Sequence, residues 1–532
     1  MKAKRRVDTR HVRASASTIL QPLAAGDESI RIQSPLSLHP LLPLSLRRGD
    51  AVLPMASASA SAGGETPLVD RCIDAAAGGA ATVEAWRRQR RSLERLPAQL
   101  ADALLRRLAA RRLLFPSLLE VFQHSVEEID LSGHIAVDAE WLAYLGAFRY
   151  LRVLKLADCK NVNSSAVWAL SGMSTLKELD LSRCSKISDA GIKHIASIES
   201  LEKLHVSQTG LTDNGVMAIS SLINLRLLDL GGVRFTDKAL RSLQVLTQLE
   251  HLDIWGSEIT NEGASVLIAF TSLSFLNISW TPSFGNIDEV FSSILPSSLT
   301  YLDMSSCSSS NLYFLGNMRN LEHLDLSYSR IISDAIEYIA NIGMNLMFLS
   351  LSNSEVTSQA LTVPSLTTLS LAHTKIDDSA LLYISMMPSL RILNLSRTCI
   401  KGFMMENSVK VLSLSALEEL KYLESLNLNN TQLVDDVIPP LASFRALKYL
   451  FLKSDFLSDP ALHALSSASN LIHLGFCGNI LSTTGLRKFV PPATLHEKIK
   501  YSKEEMMELQ HQAKSNSSMN VAQLPPELRR SV

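Results

Sequence analysis

A string of leucine, two residues, leucine, one residue, leucine returns along most of this chain, and it constrains the fold more than any other feature. Its clearest copy is Leu176, Leu179 and Leu181, followed by Cys184 and by Ser188-Asp189, where an apolar pattern opens at Ile192 and Ile195. The leucines alternate as a short strand with one buried side requires, and after Ser188 the period becomes that of a helix. The leading leucine recurs at Leu151, Leu176, Leu201, Leu225, Leu249, Leu273, Leu299, Leu321, Leu346, Leu366, Leu390, Leu423, Leu447 and Leu471. Steps such as Leu201 to Leu225 and Leu225 to Leu249 are 24 residues each. One such unit cannot bury its own apolar side, so units must stack on their neighbours. A partial copy, Val126-Glu127-Glu128-Ile129-Asp130-Leu131, begins the series. The recurrence predicts an α/β solenoid over residues 126–495: a curved parallel sheet of one short strand per coil, with helices outside.

A chain of 532 residues is too long for one compact core, but a solenoid has no such limit because each coil touches only its neighbours. Lys and Arg number 51 against 52 Asp and Glu. That balance argues against nucleic acid or a membrane surface as partner. No apolar run reaches the roughly 18 residues of a membrane span, so a soluble protein of cytoplasm or nucleus is expected. Cys72, Cys159, Cys184, Cys307, Cys399 and Cys477 are scattered, with no C-x-x-C. Cys159, Cys184, Cys307 and Cys399 fall just beyond strand leucines, and are expected to be reduced and buried as small hydrophobes.

The two ends differ from this pattern. Residues 1–62 carry Lys2, Lys4, Arg5, Arg6, Arg10 and Arg13 among Ser, Ala and Pro. They suit either a disordered arm or an organelle transit peptide, and Met55 is an alternative start. Residues 496–532 are polar, with a helix expected over 497–512 and disorder beyond it. Between arm and repeats, residues 63–125 read as a helical cap. Thr66 and Pro67 start the first helix, the second covers 82–96, and Pro97 and Pro116 start two more. An open solenoid end exposes core, and such a cap covers it.

Within the cap, Pro67-Leu68-Val69-Asp70-Arg71-Cys72-Ile73-Asp74-Ala75-Ala76 resembles the BC box of elongin-binding ubiquitin-ligase receptors. Residues 97–122 are similar to the segment that precedes the repeats in Zyg-eleven receptors. Leu96-Pro97 with Leu100, Leu104 and Leu108 also resembles the opening of an F-box. The resemblance implies docking of an elongin C or SKP-type adaptor, and through it a cullin, on Leu68, Cys72, Ala76, Leu100 and Leu104. It departs from the Zyg-eleven pattern after Leu495, where no armadillo-like array follows.

The repeats resemble the ribonuclease-inhibitor-like, cysteine-containing class of leucine-rich repeats found in F-box receptors, as in DLSRCSKISDAGIKHI. Ser188-Asp189, Thr212-Asp213, Thr236-Asp237 and Thr260-Asn261 precede the helical parts, where a side-chain oxygen satisfies free amides. The L-x-G-x-I-P string of secreted plant receptor repeats is absent. Asn277 and Asn394 lie in sequons but also in strands, so they are expected to be unglycosylated.

Three spacings are irregular. Leu346 to Leu366 is 20 residues, which predicts a tight return turn; Leu390 to Leu423 is 33, which predicts a bulge or an added helix around 401–420; and Leu273 to Leu299 contains Pro282, Gly285 and Pro296. Outward positions near the strands supply the candidate concave binding face: Trp255, Phe275, Trp280, Tyr301, His323, Tyr328 and Phe348. His251, His323, His373 and His473 are too scattered to argue for a metal site, and no phosphate-binding glycine loop, nucleophile elbow or H-E-x-x-H occurs. The expectation is a non-enzymatic recognition protein without cofactor or metal. It would be the substrate receptor of a cullin-type ligase, or else a scaffold or inhibitor acting by the same face.

Overall fold

The computed structural model describes residues 68–88, 96–281, 291, 298–307, 312–331, 336–342, 344–358, 363–476 and 480–491. The expectations for residues 1–62, for the tail beyond 496, and for Pro282, Gly285 and Pro296 lie outside these.

Each copy of the leucine string forms a strand of three residues, and two further strands of four residues, β13 and β14, lie outside the repeat pattern. In chain order they are β1 (Glu128–Asp130), β2 (Val153–Lys155), β3 (Glu178–Asp180), β4 (Lys203–His205), β5 (Leu227–Asp229), β6 (His251–Asp253), β7 (Phe275–Asn277), β8 (Tyr301–Asp303), β9 (His323–Asp325), β10 (Phe348–Ser350), β11 (Thr368–Ser370), β12 (Ile392–Asn394), β13 (Phe403–Glu406), β14 (Val409–Leu412), β15 (Ser425–Asn427), β16 (Tyr449–Phe451) and β17 (His473–Gly475). All but β13 and β14 join one parallel sheet in sequence order. Its register is set by the middle residue: Leu154 pairs with Leu179, Leu179 with Leu204, and Leu204 with Leu228. These middle leucines and the leading leucines are buried. One core runs the length of the sheet and continues into the cap through Leu104, Leu105, Leu108, Leu118, Leu119 and Phe122.

In the cap, α1 (Leu68–Ala76), α2 (Ala80–Arg87) and α3 (Ala98–Ala110) are helical. The second helix is shorter than the expected 82–96, and 89–95 lie outside the described residues. The fourth element, Pro116–Phe122, is a 3-10 turn rather than an α-helix. Arg107 and Arg111 both donate to the Asp74 carboxylate, at 2.7 and 2.5 Å, and Arg111 also donates to the Ala77 carbonyl at 2.7 Å. That network ties α1 to α3.

The long interval between Leu390 and Leu423 holds an antiparallel hairpin, β13 with β14, followed by the 3-10 turn Leu414–Glu419. The inserted element is therefore a hairpin. Asp378 anchors its base: its carboxylate accepts from the Lys401 and Gly402 amides and from the Ser413 hydroxyl. Within the short interval, no helix lies between β10 and β11 among the described residues.

Three of the four cysteines beyond the strands behave as expected. Cys159, Cys184 and Cys307 are buried, and their thiols donate to carbonyls of the preceding coil, Leu131, Leu156 and Ile278. Cys399 is exposed, contrary to expectation. The equivalent place, three residues past the strand's last leucine, is held by Thr398, whose hydroxyl donates to the Leu395 carbonyl at 2.7 Å.

The helix starts are tied across coils. The Asp189 carboxylate accepts from the Thr212 amide at 2.9 Å and the Thr212 hydroxyl at 2.6 Å. Asp213 holds Thr236 and Asp237 holds Thr260 in the same way. Thr212 and Thr260 also cap their own helices, by accepting from the Asn214 and Glu262 amides. Ser188 and Thr236 make no such capping bond, so at these two the expected cap is absent. The Asp189 clamp crowds Gly215, two residues after Asp213, whereas the next coil, held by Asp213, carries Ala239 at that place. A Cβ on Gly215 would lie 2.4 Å from an Asp189 carboxylate oxygen. Gly215→Ala should therefore cost about 1–3 kcal/mol by displacing a carboxylate held by two bonds, and Asp189→Ala a similar amount. In the Asp189→Ala background the glycine change should cost less, because its nearest obstacle is gone and only the Leu211 methyl, at 3.0 Å, remains to give way. Denaturant unfolding of the two single variants and the double variant reads this non-additivity, and simple additivity would refute the clamp.

Candidate functional site

The middle residue of each strand points into the core, so the first and third point to the sheet's open face. Parallel, in-register pairing then aligns like positions of successive coils at the interstrand spacing of ~4.8 Å. At the first position of β6 to β10 this alignment produces a stack of five rings. His251 and Phe275 centroids are 3.6 Å apart, Phe275 and Tyr301 4.0 Å, Tyr301 and His323 4.0 Å, and His323 and Phe348 3.9 Å. The planes lie within 15° of parallel. Rings this close and this parallel overlap face to face, so what they gain is chiefly the apolar area they cover from water.

The third position carries a second row: Asp229, Asp253, Asn277, Asp303 and Asp325. Each side-chain oxygen accepts the amide two residues on, from Gly231, Trp255, Ser279, Ser305 and Ser327, at 2.8 to 3.2 Å. Those bonds shape the turn that ends each strand. Asn277 also donates to Asp253 at 3.2 Å. Burial pushes the Asp253 carboxyl up to about 7, with Asp229 and Asp303 adding to it. Burial does the same to Asp303, helped by Asp325, again to about 7, and raises Asp325. Burial also holds the His251 imidazole down, to about 4, so it is neutral at pH 7. Burial would likewise lower His205, but its hydrogen bond to Asp229, with Asp180 and Glu178 nearby, raises it overall.

Beyond the carboxylates lie the turns. Trp280 and Tyr328 occupy left-handed backbone at φ 54° and 59°, where other coils place Gly232 and Gly256. Their exposures are 42% and 51%, and their rings meet at 5.5 Å, tilted by 49°. The coil between them has Ser306 at that place, which leaves room for the contact. Trp255 is half-buried one residue earlier in its turn, against Gly231, where a Cβ would come within 2.1 Å of the indole nitrogen.

Four of the seven residues singled out from the sequence, Phe275, Tyr301, His323 and Phe348, thus form one stack, while Trp255, Trp280 and Tyr328 form a separate turn row. His251 was missed as a fifth ring. Its signal was legible: it holds the same place in its repeat as Phe275. Tyr449, Phe451 and His473 form a smaller aromatic group on β16 and β17, also missed. Among the described residues no group of three or more His, Cys, Asp or Glu could hold a metal ion.

The cap residues are divided. Leu68 is 75% exposed and Cys72 is exposed, on the side of α1 away from buried Ile73. Ala76 packs partly against the core. Leu100 is half-buried and Leu104 is buried within α3, because Leu104 is part of the face that seals the solenoid.

The buried carboxylates make stability depend on pH in a defined direction. A carboxyl whose pKa is raised in the folded state binds more protons there than when unfolded, so its contribution falls as pH rises from about 4 to about 7. Asp253→Asn, which installs the residue native to the next coil, removes that loss. Its melting temperature relative to the parent should rise between pH 4 and pH 7, and a difference that is flat across this window would contradict the buried, raised carboxyl.

The description "Leucine-rich repeat region" matches residues 135–434. No sequence of a curated protein matches the chain. Among solved structures, the chain is similar to an internalin (inlF) of Listeria monocytogenes, at 21% identity over 71% of this chain and 93% of that one, with a TM-score of 0.44. It is also similar to a leucine-rich repeat protein of Leptospira interrogans, at 18% identity over 73% and 98%, with a TM-score of 0.45. With more than half its length matched by the family's pattern, and with one register-locked strand per repeat, this chain belongs to the leucine-rich repeat family.

Proposed function

We propose that the chain is a non-enzymatic protein-recognition module that holds a partner protein on the open face of β6 to β10. The observation that carries this reading is the stack of five rings across five coils, bordered by the exposed Trp280 and Tyr328. Aromatic side chains bring large contact area with few rotors to freeze, which is why they dominate binding hot spots. The seat is also preorganised. Turn amides of Gly256, Trp280, Ser306 and Tyr328 donate to carbonyls of the next coil at 2.7 to 2.9 Å, so little backbone needs ordering on binding.

A second reading, that of a cullin-ligase substrate receptor, is supported by α1. Its exposed Leu68 and Cys72 suit docking of a helix face in a groove of an elongin C-type adaptor. Half-buried Ala76 and Leu100 and buried Leu104 reduce the surface that such an adaptor could use. A scaffold or inhibitor would use the sheet face alone.

Two experiments separate these. A photo-cross-linking phenylalanine analogue at Tyr328 should capture a defined protein that the same group at Lys238, on the helical side, does not. Phe275→Ala with Tyr301→Ala should then weaken retention of that protein by roughly tenfold or more. Equal capture at both places, or unchanged retention, refutes the assignment of this face. For the ligase reading, affinity purification of the full chain should recover an elongin C or SKP-type adaptor that Leu68→Asp with Cys72→Asp abolishes. If the parent recovers partners but no adaptor or cullin, that reading fails and the scaffold remains.

A further inference from the structure

This step rests on the recognition reading above and concerns what the partner brings to the face. Of the twelve outward strand positions from β5 to β10, four are aspartates, Asp229, Asp253, Asp303 and Asp325, and none is lysine or arginine. The first strands are different: Lys155 lies 3.8 Å from Glu128 and 3.6 Å from Glu178, and Lys203 lies 3.6 Å from Glu178. There the face neutralises itself. At β6 to β9 no Lys or Arg among the described residues forms an ion pair with Asp253, Asp303 or Asp325, and the His251 imidazole on the strand of Asp253 is neutral at pH 7.

The acids are placed between aromatic groups. Asp325 lies between His323 and Tyr328 along its own coil, and Asp253 between His251 and Trp255. Asn277 lies between Phe275 and Trp280. The stacked rings cover one another's faces, so that row offers apolar edges suited to the methylene stem of a long side chain. Trp280 and Tyr328 meet at a tilt rather than face to face, and an exposed ring of this kind attracts a cation. The carboxyls between the two rows ionise when a guanidinium or ammonium group displaces their protons, and then supply the charge-assisted hydrogen bonds that such a group seeks.

We infer that this face binds a cationic segment of a partner protein, its arginine or lysine heads set against Asp303 and Asp325 and beside Trp280 and Tyr328. A polyanion, nucleic acid included, finds no lysine or arginine at the outward strand positions of β5 to β10 to pair with. The charge row thereby selects among partners that the rings alone would accept.

The test uses the purified full chain, with labelled hexa-arginine and hexa-glutamate peptides as probes, followed by fluorescence anisotropy near physiological salt. Hexa-arginine should bind and hexa-glutamate should not. Asp303→Asn with Asp325→Asn should weaken hexa-arginine binding by roughly tenfold or more. Asparagine is native at this place in β7, β12 and β15, so the variant should fold, which a thermal melt checks directly. Glu199→Gln with Glu419→Gln removes two carboxylates from exposed sites elsewhere and should leave affinity within about twofold. Equal weakening by this control pair would mean diffuse attraction and would overturn the inference. So would binding that Asp303→Asn with Asp325→Asn leaves unchanged, and so would a failure of hexa-arginine to bind. If hexa-arginine fails while cross-linking from Tyr328 still captures a protein, the recognition reading stands and only the cationic assignment falls. A captured segment without lysine or arginine has the same consequence.

Discussion

The structure depends on one contact made over and over: the buried middle leucine of a three-residue strand set directly beside its counterpart in the next coil. Three residues of strand have too few hydrogen bonds to persist alone. Stacked in register they form a continuous sheet, and each coil's apolar side is sealed only by its neighbours. Because side chains alternate with a period of two, a slip of one residue in any coil would expose a leucine and bury its outward neighbours. Register is therefore strongly enforced.

That enforcement has a consequence on the other face. Locking the leucines in line also locks the outward residues in line, whatever their chemistry. Where the first positions are aromatic they stack from His251 to Phe348 at centroid spacings of 3.6 to 4.0 Å. Where the third positions are acidic, carboxylates are held near one another and half out of water, and their protons are retained to near neutral pH. The register that gives the rings their favourable contacts is what crowds the aspartates. An aspartate still serves the fold there, because its oxygen shapes the turn by accepting the amide two residues on, and asparagine does this equally in Asn277, Asn394 and Asn427. Aspartate in place of asparagine at β6, β8 and β9 is thus not required by the turn.

The helical side is organised by similar vertical ties. Asp189, Asp213 and Asp237 each hold the amide and hydroxyl of a threonine in the next coil, so strands and helix starts are both fixed between coils rather than within them. At the amino-terminal end the cap takes the place of a preceding coil. Leu104, Leu105 and Leu108 cover the first coil's core, which leaves Leu68 and Cys72 of α1 on the outside.

Much of this was legible in the chain alone. The leading leucines announced every strand of the main sheet and their register, since a period of two followed by a helical period has few other solutions. Cys159, Cys184 and Cys307 were placed correctly, while Cys399 was not, because one residue of offset separates a buried position from an exposed one and Thr398 could fill it. The hairpin of β13 and β14 was foreseen only as extra length. The aspartate that opens each of these helices was read as a helix signal, although its side chain bonds to the next coil. The aromatic residues near the strands were visible as a list, but that four of them and His251 form one stack, and that Trp280 and Tyr328 meet over Ser306, depends on distances between residues 22 or more apart. Sequence determined the repeat, because hydrophobic periodicity is a local property of each coil. Tertiary structure decided the aromatic row on the open face and the protonation of the acids beside it, because both arise only when separate coils are brought within a few ångströms of each other and water is excluded between them.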